Sequence, residues 1–189
     1  RFLKGVHMKF KSLVFVFSIF VLSQSLKAEV LLGNYELKSS KINYLVTYLI
    51  KKADGESTGA KGKGECKVDK CDFLVAAPIK SFESKDSNRD LNMLNTTKAE
   101  KYPLVVAKIL TPTSITNGVL KADLEIDFSG VKHLYKSIPF TAHFKDGILH
   151  VEGKFDLILG EHKIEKPSLL GVNINELVPL TITADWKKL

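Results

Sequence analysis

The chain is 189 residues long, with 28 Lys+Arg against 21 Asp+Glu and a formal net charge of +7. Five of the basic residues (Arg1, Lys4, Lys9, Lys11 and Lys27) fall within the first 28 positions and no acid accompanies them, which leaves 23 bases against 21 acids, a net +2, for residues 29–189. That balance excludes the electrostatic footprint of a nucleic-acid binder, and the remaining length fits one domain with a single core.

The first element reads as an export signal. Met8, Lys9 and Lys11 precede the apolar run 13–22, and a short polar exit follows; this is the layout of a cleaved secretory peptide. Arg1 to His7 read as translated upstream sequence or a mis-set start. The run is shorter than the ~20 residues a bilayer span needs; an uncleaved anchor is the alternative. Cleavage is expected after Ala28, with Ser25 as the other candidate, and no cysteine near the cut suggests a lipoprotein anchor. The mature protein, residues 29–189, is expected in the periplasm or otherwise outside the cytoplasm, without a stable membrane span.

The next elements read as strands. Ile42, Tyr44, Val46, Tyr48 and Ile50 share one face, the period-2 pattern of a half-buried strand. Residues 59–64 hold three glycines and two lysines, but no Gly-Lys-Ser/Thr follows. They predict a flexible or bulged strand rather than a phosphate loop. Cys66 and Cys71 flank Lys67-Val68-Asp69-Lys70, a four-residue turn that would bring the thiols face to face. A structural disulfide suits an exported chain. Zinc would need two further ligands, and redox catalysis usually uses a two-residue spacer.

Residues 73–79 and 104–109 are strand-like in content. Between them, residues 87–94 predict a short helix with Asp86 or Ser87 as N-cap, and Pro103 ends the connection. From Leu120 to Phe128 apolar and charged residues alternate strictly. Ile138, Phe140, Ala142 and Phe144 form the next inward set, and Asp146-Gly147 supplies a hairpin turn. The return strand carries Leu149, Val151, Gly153, Phe155, Leu157 and Leu159 on one face. A short turn is expected between 166 and 177. The last strand places Val178, Leu180, Ile182, Ala184 and Trp186 inward. One wet and one dry face on strand after strand argues for antiparallel sheet. The fold class is therefore all-β: about eight strands, closed as a barrel or folded as a sandwich.

Few residues suggest chemistry. Ser129 and Lys132 have a serine–lysine spacing, but its partner motifs are absent. Asp123, Glu125 and Asp127 read as a solvated face. His133, His143, His150 and His162 are scattered. His143 and His150 flank the Asp146-Gly147 turn at equal distance and are expected near each other outside the sheet, a weak metal site at best. No metal, cofactor or catalytic residue is therefore assigned. Asn95-Thr96-Thr97 is a glycosylation sequon, without meaning in a bacterial host.

Several segments in order resemble one family. They are Asn34-Tyr35-Glu36-Leu37 with Ser40; Pro78-Ile79-Lys80-Ser81-Phe82-Glu83-Ser84 with Asn88-Arg89-Asp90 and Met93; Lys101-Tyr102-Pro103; Phe128-Ser129-Gly130-Val131; and Phe155-Asp156-Leu157 through Ile164-Glu165-Lys166-Pro167-Ser168-Leu169-Leu170. Together they resemble the YceI-like, polyisoprenoid-binding proteins of bacterial envelopes, over about residues 33–186. The resemblance implies a lipocalin-like antiparallel barrel whose interior holds a long-chain isoprenoid or another amphiphile. The cysteine pair lies outside the family pattern.

On this reading the inward aromatics Tyr44, Tyr48, Phe128, Phe140, Phe144, Phe155 and Trp186 line a lipid tunnel, or else simply fill the barrel. Phe82 and Met93 become wall or lid residues beside the helix. Arg89 either meets a diphosphate or carboxylate head group or pairs with Asp86 or Asp90 and fixes the connection. The expected function is a carrier for an isoprenoid, quinone-like or fatty lipid, not an enzyme. The alternative is a stress-related envelope interaction module with a filled barrel. A homodimer is compatible with either.

Overall fold

The computed structural model describes residues 29–48, 51–166, 168–169 and 172–189. The predicted signal segment 1–28, Ile50, Pro167 and Leu170 lie outside the described residues. Short strands β1 (Glu29–Val30), β7 (Ser114–Ile115), β11 (Ser168–Leu169) and β12 (Val172–Asn173) form two small ladders, β1 with β7 and β11 with β12. The wall is built from β2 (Gly33–Tyr48), β3 (Lys51–Ser57), β4 (Lys61–Cys66), β5 (Cys71–Pro78), β6 (Leu104–Thr111), β8 (Val119–Phe128), β9 (Val131–Lys145), β10 (Ile148–Ile158) and β13 (Leu177–Lys188). One helix, α1 (Ser87–Thr96), lies between β5 and β6.

Every wall pairing is antiparallel, and β13 returns to pair with β2 from Leu180↔Tyr44 to Lys188↔Tyr35. That pairing closes an eight-strand barrel, which removes the free edges an open sheet would expose. β3 does not add a ninth stave. It continues β4 along β2: β4 pairs with residues 33–36 of β2, and β3 with residues 42–48.

The alternation seen in the sequence sets the inside face. Leu120, Ala122, Leu124 and Ile126 are buried along β8, as are Leu149 and Leu157 along β10 and Val178, Ala184 and Trp186 along β13. Two bulges break that phase. Between Asp185↔Ser39 and Trp186↔Leu37, Lys38 is an extra residue on β2, so the inward set changes from Tyr35 and Leu37 to Ser40, Ile42 and Tyr44. On β9, Lys136 and Ser137 together face Asp123, so Tyr135 and Ile138 both point inward. Ser137 takes a φ of +55° there, and its N–H donates to Asp123 Oδ1 at 2.7 Å. Each bulge adds one residue and re-aims the side chains after it.

Cys66 and Cys71 stand directly opposite in the β4–β5 hairpin and form a disulfide. Lys67 N–H donates to Lys70 O across the turn, as the four-residue spacing predicts. Closing so short a loop stabilises by roughly 2 kcal/mol in the loop-entropy view. Both half-cystines are buried against Tyr35, Phe73, Leu149 and Trp186, one of two core clusters. The β1–β7 ladder carries Leu31 and Ile115 into the same cluster. The second cluster, near the other end, gathers Tyr135, Phe140, Leu157, Ile164 and Val178.

The predicted helix is present and begins where expected. Asp86 is its N-cap, its carboxylate accepting from the N–H groups of Asn88 and Arg89. The turn expected between 166 and 177 falls partly on residues outside the described ones. A 3₁₀ turn comes earlier, at Gly160–His162, and the described part of 166–177 holds the small β11–β12 ladder. Leu159, the last apolar residue of the β10 pattern, ends the strand and anchors that turn, its carbonyl accepting from His162 N–H.

Candidate ligand-binding site

Between the two core clusters the barrel interior holds a partly open cavity of about 130 Å³. Its wall comes from most of the barrel strands and includes Leu37, Phe73, Leu124, Phe140, Phe155 and Trp186. Among the described residues, Ser40 and Thr111 are its two polar side chains, and no Lys, Arg, His, Asp or Glu lines it. A larger depression of about 350 Å³ lies on the outer wall, over Thr141, Glu152, Lys154, Thr181 and Thr183. It opens to the outside rather than to the barrel interior.

Glycines set the positions of the aromatic side chains that fill the barrel. A Cβ on Gly64 would overlap the ring of its cross-strand partner Phe73. One on Gly153 would overlap Phe140, one on Gly55 Tyr44, and one on Gly62 Trp186. These glycines are the space into which bulky neighbours fold. The glycine-rich stretch 59–64 thus builds β4 and its approach, and the rings it accommodates narrow the cavity.

The ten residues expected at the site divide by position. Phe140, Phe155 and Trp186 line the cavity. Tyr44 and Phe82 lie with ring centroids 6.1 Å apart. Tyr48 is half-buried at the far end of β2, and Met93 is half-buried on α1. Phe128 packs beside His162, centroids 5.8 Å apart, in the second cluster. Phe144 lies toward the other end, edge-on to Tyr35 at 6.4 Å. The Arg89 guanidinium is 3.4 Å from Asp86 Oδ2 and donates to Ser84 O at 3.0 Å. Asp90 instead accepts from Ser84 N–H at 2.9 Å.

Helix α1 spans one end of the barrel. On one side Glu83 bridges to Glu56 of β3. On the other, Ser129 Oγ in the β8–β9 turn donates to Thr97 O, and Tyr102 packs over Gly130. No residue of α1 is fully buried, and Leu91 is exposed. The helix is held by caps and its flanks rather than by an apolar face.

The wall has a seam between β9 and β10. β9 and β10 pair from Lys145↔Ile148 only as far as Phe140↔Gly153, and beyond that point the two strands diverge. Side chains bridge the gap. Tyr135 Oη accepts from Ile158 N–H at 3.1 Å and lies 3.1 Å from His162 Nε2. His162 Nδ1 lies 2.9 Å from Val131 O. Because a carbonyl only accepts, His162 carries its proton on Nδ1 and accepts from the Tyr135 hydroxyl through Nε2. His133 Nδ1 pairs with Glu161 at 3.0 Å nearby.

Burial holds the pKa of His162 below the usual imidazole range. On the outer wall, His150 is pushed the other way by hydrogen bonds to Asp185 and then Glu152. His150 and His143 are cross-strand partners with ring centroids 4.9 Å apart, the proximity predicted from the hairpin, and both ring nitrogens of His150 face carboxylates. The two histidines act oppositely on stability. An unfolded imidazole protonates near ~6.5. Below that pH the unfolded chain takes up a proton that native His162 resists, so this contribution is lost as pH falls. His150 contributes stability below the same pH and loses it as pH rises through its raised native value. In a His150→Gln background, Tm should therefore fall between pH 7.5 and 5, and His162→Phe should flatten that slope. Unchanged slopes in the double variant would show that His162 does not titrate differently in the fold.

Comparison with solved structures identifies the fold. The barrel aligns with a polyisoprenoid binding domain from Saccharophagus degradans implicated in plant cell wall breakdown, at a TM-score of 0.64 and 12% identity, over 82% of this chain and 98% of that one. It aligns with Burkholderia cenocepacia BcnA at 0.65 and 9% identity, over 77% and 95%. A Campylobacter jejuni YceI protein covers 96% of this chain and 92% of its own, at 0.46 and 15% identity. No protein-family profile and no curated protein matches the sequence. The chain shares the barrel fold of the Saccharophagus degradans domain and of BcnA.

Proposed function

We propose that this protein is an exported, periplasmic binding or carrier protein that holds the hydrocarbon of a long-chain isoprenoid, quinone-like or fatty lipid inside its barrel. The observation that carries this reading is the interior cavity, whose described wall is apolar but for two hydroxyls, in the fold of a polyisoprenoid binding domain. Each methylene buried there contributes ~0.8 kcal/mol, so a tail needs few polar contacts to bind. Phe140, Phe155 and Trp186 contact the tail first. Tyr44, Tyr48, Phe82, Phe128 and Met93 receive it toward the α1 end, while Phe144 seats the opposite end. Arg89, tied to Asp86 and Ser84, fixes the helical connection. An oxidising compartment agrees with the Cys66–Cys71 disulfide.

The cavity's volume favours a second reading. About 130 Å³ is below the ~300 Å³ at which ligand pockets usually begin, so a long chain must displace some of the aromatic rings. A barrel that stays filled would be an interaction module without a ligand. Native mass spectrometry of protein purified from its own envelope, followed by organic extraction, separates the two. A bound lipid mass that extraction removes is expected. Protein that is always ligand-free, and whose Tm does not move with added isoprenoid, would establish the filled barrel.

A further inference from the structure

Among the described residues, the cavity wall has one polar side-chain atom without a partner. The bulge at Lys38 turns Ser40 inward, opposite Ala184 of β13, and both residues line the cavity. Ser40 Oγ is enclosed and makes no hydrogen bond within the described protein. The other polar side chain on the described wall, Thr111, donates its hydroxyl to Pro112 O at 2.9 Å. A buried hydroxyl left unpaired is destabilising. An enclosed water would need two to four polar partners of its own, and the side chains of this wall supply two hydroxyls, one already donating.

The wall also says which head group is excluded. Among the described residues no cationic side chain lines the cavity, so a diphosphate or carboxylate buried there would be an uncompensated charge. At the α1 end Arg89 is engaged by Asp86 and Ser84. We infer that the barrel selects amphiphiles with a neutral oxygen, a hydroxyl or carbonyl, which hydrogen-bonds Ser40 Oγ inside the cavity, over amphiphiles with a phosphorylated or carboxylate head. This inference rests on the lipid-binding reading and names the ligand class for it.

Three probes with one tail test it: farnesol, farnesyl diphosphate and farnesene. Wild type should bind farnesol most tightly. Ser40→Ala should weaken farnesol about fivefold, the value of one ordinary net hydrogen bond, and leave farnesene unchanged. The same substitution should raise the Tm of the ligand-free protein by about 2–4 °C, because it deletes an unpaired buried group. Stabilisation together with weaker alcohol binding is a pairing that a purely structural serine would not give. If farnesyl diphosphate binds as tightly as farnesol, or Ser40→Ala binds farnesol unchanged, the head-group inference falls while lipid binding stands. If none of the three binds wild type, both fall.

Discussion

Trp186→Ala is expected to lower the unfolding free energy by about 3–5 kcal/mol, the usual range for emptying a buried aromatic site, and to lower Tm by about 10 °C. Trp186 is 4% exposed. Its ring meets Phe73 edge-on with centroids 4.8 Å apart and covers Gly62. It also sits where β13 is paired on both sides, with Leu149 of β10 and Leu37 of β2. The lost ring therefore weakens the strand that closes the barrel as well as its core. Leu74→Ala is the control. Leu74 lies on the outer face of β5, 54% exposed, where substitutions usually stay within ±0.5 kcal/mol. Urea unfolding of both variants measures the contrast. A Trp186→Ala loss below 1 kcal/mol would mean that the barrel closes without this ring.

Much of the fold was legible because the inside–outside alternation is a direct consequence of strand geometry. Residues 120–128, 149–157 and 178–186 state it without interruption, and they became β8, β10 and β13. The helix was legible from its cap, since Asp86 offers the carboxylate that the first N–H groups need. What the sequence hides are the bulges. An extra residue reverses the phase without changing composition, so Ser40 and Tyr135 fall out of step with the pattern that exposes their neighbours. Phe73 was hidden differently. Its cross-strand partner is Gly64, and a face that alternates glycine with charge does not read as a core. Phe140, Phe155 and Trp186 were legible as wall residues from alternation alone. Their common cavity was not, because its volume depends on which rings fold over which glycines. His162 gave no signal, since its partners Tyr135 and Val131 come from a distant strand.

If the barrel carries a lipid as proposed, the cavity's small size makes the aromatic rings its gate, and this predicts opposite effects on binding from two destabilising substitutions. Phe140 is 7% exposed, lines the cavity and lies over Gly153, where β9–β10 pairing ends. Phe140→Ala should cost about 3–5 kcal/mol of stability. It also removes a ring that an isoprenoid chain would otherwise have to displace, so the Tm rise produced by saturating farnesol should exceed that of wild type. Gly153→Ala acts on the same contact from the other side. Its methyl would overlap the Phe140 ring, an overpacking worth about 1–3 kcal/mol, and the ring can yield only toward the interior. That variant should show a smaller rise than wild type. Ligand stabilisation follows RT ln(1 + [L]/Kd), about 2.7 kcal/mol at 100 times Kd, so both changes are within reach of a thermal melt. If the two variants shift the farnesol-induced rise in the same direction, Phe140 does not gate the interior and the lipid lies elsewhere on the barrel.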